Sequence, residues 1–438
     1  MAMIRPETEM KDSGIKWVGL MPVNWKTVRI KNLPNQEENS FVDGDWIESS
    51  YITDSGIRYY TTGNIGDGKF KEQGNGYISE NTFNELKCKY AFPGDLVLSR
   101  LNEPYGRSCI IPETEPKCIV AVDNVILRTN EDKRYICYIT QCDGYHAEVG
   151  ELARGTAMKR VSRTNLGTIR IPLPAKIEQQ SIADYLDEIC SKIDEIIAEA
   201  KASIDEYKEL KQSVIDKAVL HGLCNGMMKD SGNDLIGKIP LSWEMRKLKY
   251  VADFNPGITT AYDAQKEVGY VPMNCVKNGY MNPLSARLSD MSTGLTGFQD
   301  GDIVIAKVTP CFENGNIAVA ENLEQGVAFG SSELFVIRTH SINRRFMLYY
   351  LQNSVFKNQC ISTMTGTGGL KRVSGYFVNN AYITYPPENE QQVIVNYLDE
   401  AVKNMDSLIT EKESLINDLE AYKKSLIYEV VTGKRRVV

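Results

Sequence analysis

Two stretches of the chain repeat apolar residues at alternating steps of four and three. From Ile182 the steps reach Leu186, Ile189, Ile193, Ile196, Ala200, Ser203, Tyr207, Leu210 and Val214, and only Ser203 is polar. From Ile394 they reach Leu398, Ala401, Met405, Leu408, Lys412, Leu415, Leu419, Tyr422 and Leu426, and only Lys412 is polar. A 3.5-residue period with so narrow a stripe predicts a coiled-coil seam rather than the broad face of a globular helix. Pro174 and Pro386 stand just ahead of the two stretches and Gly222 and Gly433 just after them, where helix starts and left-handed caps are expected. Each predicted helix has about 48 residues and a length of roughly 70 Å. Two matched helices in one chain most simply pair with each other; the globular insert between them permits either orientation, and of the two we expect the antiparallel one.

The remaining segments, about 22–172 and 240–384, show short β-rich runs bounded by Gly, Pro and Asn. Gly94-Asp95 leading into Leu96–Ser99 and Gly301-Asp302 leading into Ile303–Ala306 are examples. Arg344 to Phe356 reads as one short amphipathic helix, with Tyr135 to Tyr145 as its counterpart. Gly366-Thr367-Gly368-Gly369 is too glycine-rich for either element.

These segments are related by duplication. Asp12-Ser13-Gly14, Gly19, Pro22 and Trp25 recur 218 residues later as Asp230-Ser231-Gly232, Gly237, Pro240 and Trp243. Lys159-Arg160-Val161-Ser162 returns as Lys371-Arg372-Val373-Ser374, an offset of 212. Glu178-Gln179-Gln180 and Tyr185-Leu186-Asp187-Glu188 return at the same offset from Glu390 and Tyr397. Between these anchors the halves differ almost everywhere, so a shared frame surrounds two divergent inserts.

Charge follows the same division. The net charge of −7 resides in the helices, −5 between Lys176 and Leu223 and −6 between Pro387 and Gly433, and the remainder is slightly basic. The acidity therefore does not exclude a nucleic-acid partner for the inserts. At 42% hydrophobic and 24% charged the composition is that of a soluble globular protein. No apolar run approaches a membrane span and no signal core opens the chain, so we expect a cytoplasmic location with no membrane partner. Ten cysteines without a Cys-x-x-Cys pair and three scattered histidines predict no metal site.

Catalytic signatures are also missing. Pro386-Pro387 lies between Tyr385 and Glu388, which is not the Asp/Asn-Pro-Pro-Tyr/Phe of an amino-methyltransferase. No Gly-Lys is followed by Ser or Thr, as a Walker loop needs. Glu-x-Lys triplets at Glu85 and Glu209 are common by chance, and no Ser/His/Asp set can be assembled. The chemistry that remains is binding. Each half offers a glycine-rich loop with adjacent Lys and Arg, Gly155–Ser162 and Gly366–Ser374, suited to phosphate contact or guanine readout, or else a solvated turn. Asn64 and Asn274 follow Tyr60 and Tyr270 at the same spacing and read either as adenine contacts or as satisfied loop residues. Arg100 and Lys307, after the Gly-Asp turns, face either DNA or the fold.

Taken as an ordered set, these motifs resemble the specificity subunit of Type I restriction–modification enzymes across essentially the whole chain. They are the two Lys-Arg-Val-Ser loops, Ile171-Pro172-Leu173-Pro174, the two Glu-Gln-Gln to Tyr-Leu-Asp helix openings, and the Ser-Gly…Gly…Pro…Trp frame segments. The second copy departs at Thr384, which replaces Pro172, and in a loop one residue longer. The resemblance implies an α+β fold in which two α/β target recognition domains alternate with two long helices that pair as an antiparallel coiled coil, a pseudo-twofold duplication. Expected bounds are a frame segment 1–21, domains 22–174 and 240–386, helices 175–223 and 387–433, a linker 224–239 and a basic tail 434–438. The implied function is recognition of a bipartite double-stranded DNA target, one half-site per domain, with the helices setting the spacing and docking two methyltransferase subunits. Restriction (motor) subunits would join them. S-adenosylmethionine, ATP and Mg would sit on those partners, with no cofactor, no metal and no catalytic site on this chain. By analogy Lys159, Arg160, Arg163, Lys371 and Arg372 are the first DNA-contact candidates, followed by Arg100, Arg107, Lys307, Asn64 and Asn274. A structural coiled-coil adaptor with protein-binding heads is the alternative, but it leaves the duplicated loops without a purpose.

Overall fold

In the computed structural model both heptad stretches are single uninterrupted helices, Lys176–His221 and Glu388–Val431. Neither contains a proline or glycine, and each stops at a glycine in the left-handed region, Gly222 (φ 77°) and Gly433 (φ 75°). The structure describes residues 3–437 apart from 75, 157 and 225. Ala157, in the first Lys-Arg loop, therefore lies outside the described residues. The chain divides into two compact units, Met1–Ala200 with Glu413–Val438, and Lys201–Lys412.

In the first unit the start of the first long helix lies against the end of the second. Ile182, Leu186 and Cys190 share a core with Leu426, Ile427, Val430 and Val431, and Lys423 donates to Asp194 at 2.6 Å. In the second unit Ile215, Ala218 and Val219 share a core with Ile394, Val395 and Leu398, and Lys211 donates to Asp406 at 2.6 Å. In both, residue number rises along one helix as it falls along the other, so the pairing is antiparallel. The buried line differs from the expected seam. It runs through Ile182, Leu186, Cys190, Ile193, Ile197, Ala200 and Ile204, while Ile196 and Leu210 are exposed. The first turns pack on the α/β body in successive steps of four, which displaces the seam by one residue from Ile189 to Cys190. In the second helix Leu398, Met405, Ile409 and Ile416 are buried, and Leu408, Leu415 and Tyr422 face outward.

The two α/β bodies share the strand order of one four-stranded sheet, while their second sheets have three and four strands. The first has an antiparallel sheet in the order Phe41–Asp43, Asn124–Leu127, Leu96–Ser99, Ser108–Ile110. The second has Ala252–Phe254, Leu334–Thr339, Ile303–Ala306, Ile317–Val319. The central strands are buried on both faces, as their unbroken apolar runs require. Each body also pairs two strands in parallel, Ile57–Tyr60 with Cys118–Val120 and Glu267–Val271 with Val327–Gly330. Arg344 to Phe356 is not one helix. Asn353 ends Arg344–Gln352, and its side chain accepts from Phe356 N–H at 2.8 Å to cap Ser354–Ser362. The counterpart is likewise two helices, Lys133–Ile139 and Asp143–Glu151. The glycine stretch expected to lie outside both element types forms a hairpin, Thr365–Thr367 with Leu370–Arg372. Its turn, Gly368 and Gly369, needs positive φ at both positions (64° and 81°), which only glycine adopts readily in succession.

The repeated motifs join each helix start to its own body. Trp25 Nε1 donates to Glu178 at 3.0 Å, and Trp243 Nε1 donates to Glu390. Gln179 accepts from Asp132 N–H at 3.0 Å and donates to Pro174 O at 2.9 Å; Gln391 does the same with Asn343 at 2.7 Å and Pro386 at 2.8 Å. Asp187 receives Arg134 (2.7 Å) and Tyr138 (2.6 Å), and Asp399 receives Arg345 (2.5 Å) and Tyr349 (2.7 Å). Burial, then the bond to Asp187, holds the Tyr138 phenol protonated well above its ordinary range.

Where the copies differ, one hydroxyl has changed position. The carbonyl of Val219, in the last turn of the first helix, accepts from Thr384 Oγ1 at 2.6 Å. The matching carbonyl of Val431 accepts from Tyr135 OH at 3.1 Å, because Pro172 stands at the Thr384 position and has no donor. Phe346 stands at the Tyr135 position of the second unit. Thr384→Val is thus expected to cost the second unit about 1–2 kcal/mol, the penalty for a buried unpaired carbonyl. In urea titrations, Phe346→Tyr should recover part of that loss in the Thr384→Val background and none in the native one. A proline at Ile193 should cost about 3 kcal/mol or more and separate the helix start from Asp194–Lys423, read in the same titration.

Candidate nucleic-acid interface

The Lys-Arg-Val-Ser motif splits into a structural half and an exposed half. Val161 and Val373 are buried, and their N–H groups donate to Arg100 O (3.0 Å) and Lys307 O (2.8 Å). Ser162 caps Arg163–Thr168 by accepting from Asn165 N–H, and Ser374 caps Gly375–Asn380 by accepting from Phe377 N–H. Val-Ser therefore anchors the loop and starts a helix. Lys159, Arg160, Lys371 and Arg372 all remain exposed beside these anchors. Met158 and Leu370, which precede them at matching positions, are exposed apolar side chains at the loop tips.

The four cations are not equivalent. Arg160 reaches Asp123 at 3.3 Å, and Arg372 grips Glu333 with two nitrogens at 2.9 and 2.7 Å. The hydrogen bonds from Arg372 hold the Glu333 carboxyl below the usual range. Arg163 is half-buried, 3.3 Å from Asp43, with its guanidinium over the Phe41 ring. Lys307 is half-buried with its ammonium 5.4 Å from the centre of the Phe335 ring, and Asn274 is exposed after Met273 in a short 3-10 turn.

Three of the expected contacts are interior instead. Arg100 is 5% exposed; it donates to Val161 O at 3.1 Å and Val122 O at 2.5 Å and lies 3.1 Å from Asp43. It braces the loop from beneath. Arg107 gathers five loop carbonyls, Ile65 (2.6 Å), Leu101 (3.0 Å), Asn102 (2.7 Å), Pro104 (3.3 Å) and Thr62 (3.0 Å). Asn64 is 1% exposed and bonds Lys71 O, Gln73 O and Thr61 N–H, each at 2.9 Å. Donors committed in this way to backbone cannot reach a base edge. Desolvation makes an unpaired guanidinium or amide costly inside the fold, and each has found partners, although Arg100 Nε itself is left without one. Sequence reasoning also passed over Asp123 and Glu333, which directly precede matching strands, because their pairing depends on a three-strand register.

No helix among the described residues is long and apolar enough to cross a membrane. The family model described as "Type I restriction modification DNA specificity domain" matches residues 22–206 and again 240–418. The EcoAI specificity subunit of Escherichia coli is 34% identical over 192 residues, 43% of this chain and 32% of that protein. The chain thus spans about a third of the length of the two E. coli relatives it matches at that identity. The MjaVIII specificity subunit of Methanocaldococcus jannaschii is 25% identical over 65% of this chain and 66% of its own. Among solved structures, one described under assembly and conformational transition of the type I R-M system aligns at TM-score 0.71 and 16% identity, covering 94% of this chain and 99% of its own. The HsdS subunit from Thermoanaerobacter tengcongensis aligns at TM-score 0.52 over 94% of this chain and 98% of its own. The last two likenesses are of fold. With both halves matched by the same family model, the chain belongs to the Type I restriction–modification DNA specificity family and carries two copies of its domain.

Proposed function

We propose that this chain is the non-catalytic DNA-recognition subunit of a Type I restriction–modification complex in the cytoplasm, each α/β body reading one half of a bipartite site. The observation that carries this reading is the matched pair of Lys-Arg loops, presented from one backbone frame by inserts that otherwise diverge. A common frame delivers the same phosphate-seeking cations twice, and unlike surroundings read unlike bases. Lys159 and Lys371 act as phosphate contacts, while Arg160 and Arg372 take the bidentate role that guanine or phosphate demands. Met158 and Leu370 suit apolar contact with thymine methyl groups. Lys307 and Arg163 flank the loops and, with the exposed Asn274, remain in the contact set, from which Arg100, Arg107 and Asn64 are withdrawn.

The helices supply partner docking. Leu408, Leu415 and Tyr422 recur every seven residues on one face of the second helix and are 39–48% exposed. An exposed apolar stripe at heptad spacing on an acidic helix fits a helical partner surface. Two methyltransferase subunits, which would carry S-adenosylmethionine, take this role, and restriction subunits with ATP and Mg complete the complex. A 46-residue helix is about 69 Å long, which limits the gap between half-sites to roughly 20 base pairs.

Comparing adenine methylation in the source genome with the gene intact and deleted tests the function: loss at one split motif is expected, and an unchanged pattern overturns the reading. Lys159→Ala with Lys371→Ala should weaken duplex binding by the assembled complex and shallow its log K against log salt slope by about two. Leu408→Asp with Leu415→Asp should abolish co-purification of the methyltransferase subunits while leaving the melting of this chain unchanged, since both positions are exposed.

A further inference from the structure

Each long helix opens with a glutamate that accepts an indole N–H, Glu178 from Trp25 and Glu390 from Trp243, but the two acids keep different company. Glu178 also receives Arg5, whose Nη2 lies 3.4 Å away and whose Nε donates to Gly433 O at 3.0 Å. The Arg5 side chain is only 8% exposed. It reaches this place because Met3–Ile4 pairs with Arg435–Arg436 and Arg5 N–H donates to Lys434 O at 2.8 Å. One guanidinium thus bridges the acid at the start of one helix and the carbonyl just past the end of the other.

The second unit has matching walls and, among the described residues, no such cation. Gly222 lies against Pro240 and the Trp243 ring, as Gly433 lies against Pro22 and the Trp25 ring. After Gly222, however, the chain runs straight on, and the residue 218 positions beyond Arg5 is Leu223. What remains is a hollow of about 620 Å³ in which Glu390 is the only charged side chain among the described residues. Leu223, Met227, Leu241 and Val393, which wall it together with Trp243, are 38–78% exposed.

A carboxylate among apolar side chains favours a cation that sheds water readily and can stack on an indole. Guanidinium has these properties, whereas an ammonium is more strongly hydrated. Its fixed fork of donors also serves a carboxylate and a carbonyl together, as Arg5 does in the first unit. Val393 and Tyr397, exposed one turn apart, carry the apolar surface of the hollow along the second helix. Tyr397 and Leu408 are eleven residues apart, about three turns, so this surface is continuous with the face proposed for partner docking.

We propose that the hollow is a docking site for an arginine of the methyltransferase subunit on the second unit, paired with Glu390 and Gly222 O as Arg5 is paired with Glu178 and Gly433 O. This rests on the docking reading above and gives the chemistry of one contact within it. The first unit supplies the cation from its own chain; the second leaves the acid for a partner.

The test uses the full chain and its methyltransferase subunits. Glu390→Gln keeps an acceptor for Trp243 and removes the charge, so the chain should melt as the native one does while subunit affinity falls roughly tenfold or more. Leu223→Arg sets a guanidinium of this chain in the hollow. It should raise the melting temperature, lower subunit affinity to a similar extent, and add little to Glu390→Gln in the double variant. Cys224, exposed in the lining, gives a direct reading: a maleimide should label it readily in the free chain and far more slowly in the complex. Labelling at the free rate in the complex overturns the proposal, as does undiminished subunit binding by a stabilised Leu223→Arg chain. Native affinity in Glu390→Gln overturns it even with Cys224 protected, since apolar cover alone then suffices. An earlier melt of Glu390→Gln marks a structural role and overturns it too. A native chain that binds no methyltransferase subunit rejects the docking reading itself, a separate outcome.

Discussion

The side chain of Asp187, gripped by Arg134 and Tyr138, and that of Asp399, gripped by Arg345 and Tyr349, are where helix and α/β body become one object. A long helix with a narrow apolar stripe buries too little surface to orient a domain by hydrophobic contact alone. Directional bonds do the orienting. Asp187 and Asp399 fix rotation about the helix axis, Gln179 and Gln391 tie the first turn to the cap of a domain helix, and Glu178 and Glu390 receive an indole N–H. The same set recurs in both units, so the recognition loops emerge from matched platforms whatever the inserts contain.

That constraint explains where divergence is tolerated. Residues taking part in the helix-to-body bonds are identical or chemically equivalent between halves, and a lost donor reappears elsewhere, as the exchange between Thr384 and Tyr135 shows. The two hydroxyls serve equivalent last-turn carbonyls, Val219 and Val431, and the proline or phenylalanine at the vacated position is harmless because each unit keeps one donor. The inserts, by contrast, need only preserve a sheet order and an apolar interior, conditions that many sequences meet.

Electrostatics is arranged on two scales. The helices carry the acidity, with outward apolar positions at heptad spacing between the charges. The bodies are nearly neutral, and each presents one exposed Lys-Arg pair on a short loop whose arginine has its own carboxylate.

Much was legible in the chain alone. The duplication, both helices with their glycine caps and the paired loops follow from spacing and residue type, which are local properties or simple repeats, whereas the orientation of the helix pair was left open by them. Tertiary structure decided which polar groups face outward. Arg100, Arg107 and Asn64 look like Lys159 or Asn274 in sequence, but strands brought together from distant segments enclose the first three and satisfy them with backbone carbonyls. The seam moved by one residue from Ile189 to Cys190 because the helix start packs on its own domain, a contact that no heptad count contains. Gly366–Gly369 became a hairpin because the chain had to reverse there, and glycine allows the reversal without dictating it. Periodicity and capping are written in neighbouring residues, whereas burial and pairing depend on which distant strands come to lie alongside. For that reason the pairing of Asp123 with Arg160 and of Glu333 with Arg372 appears only in the folded chain.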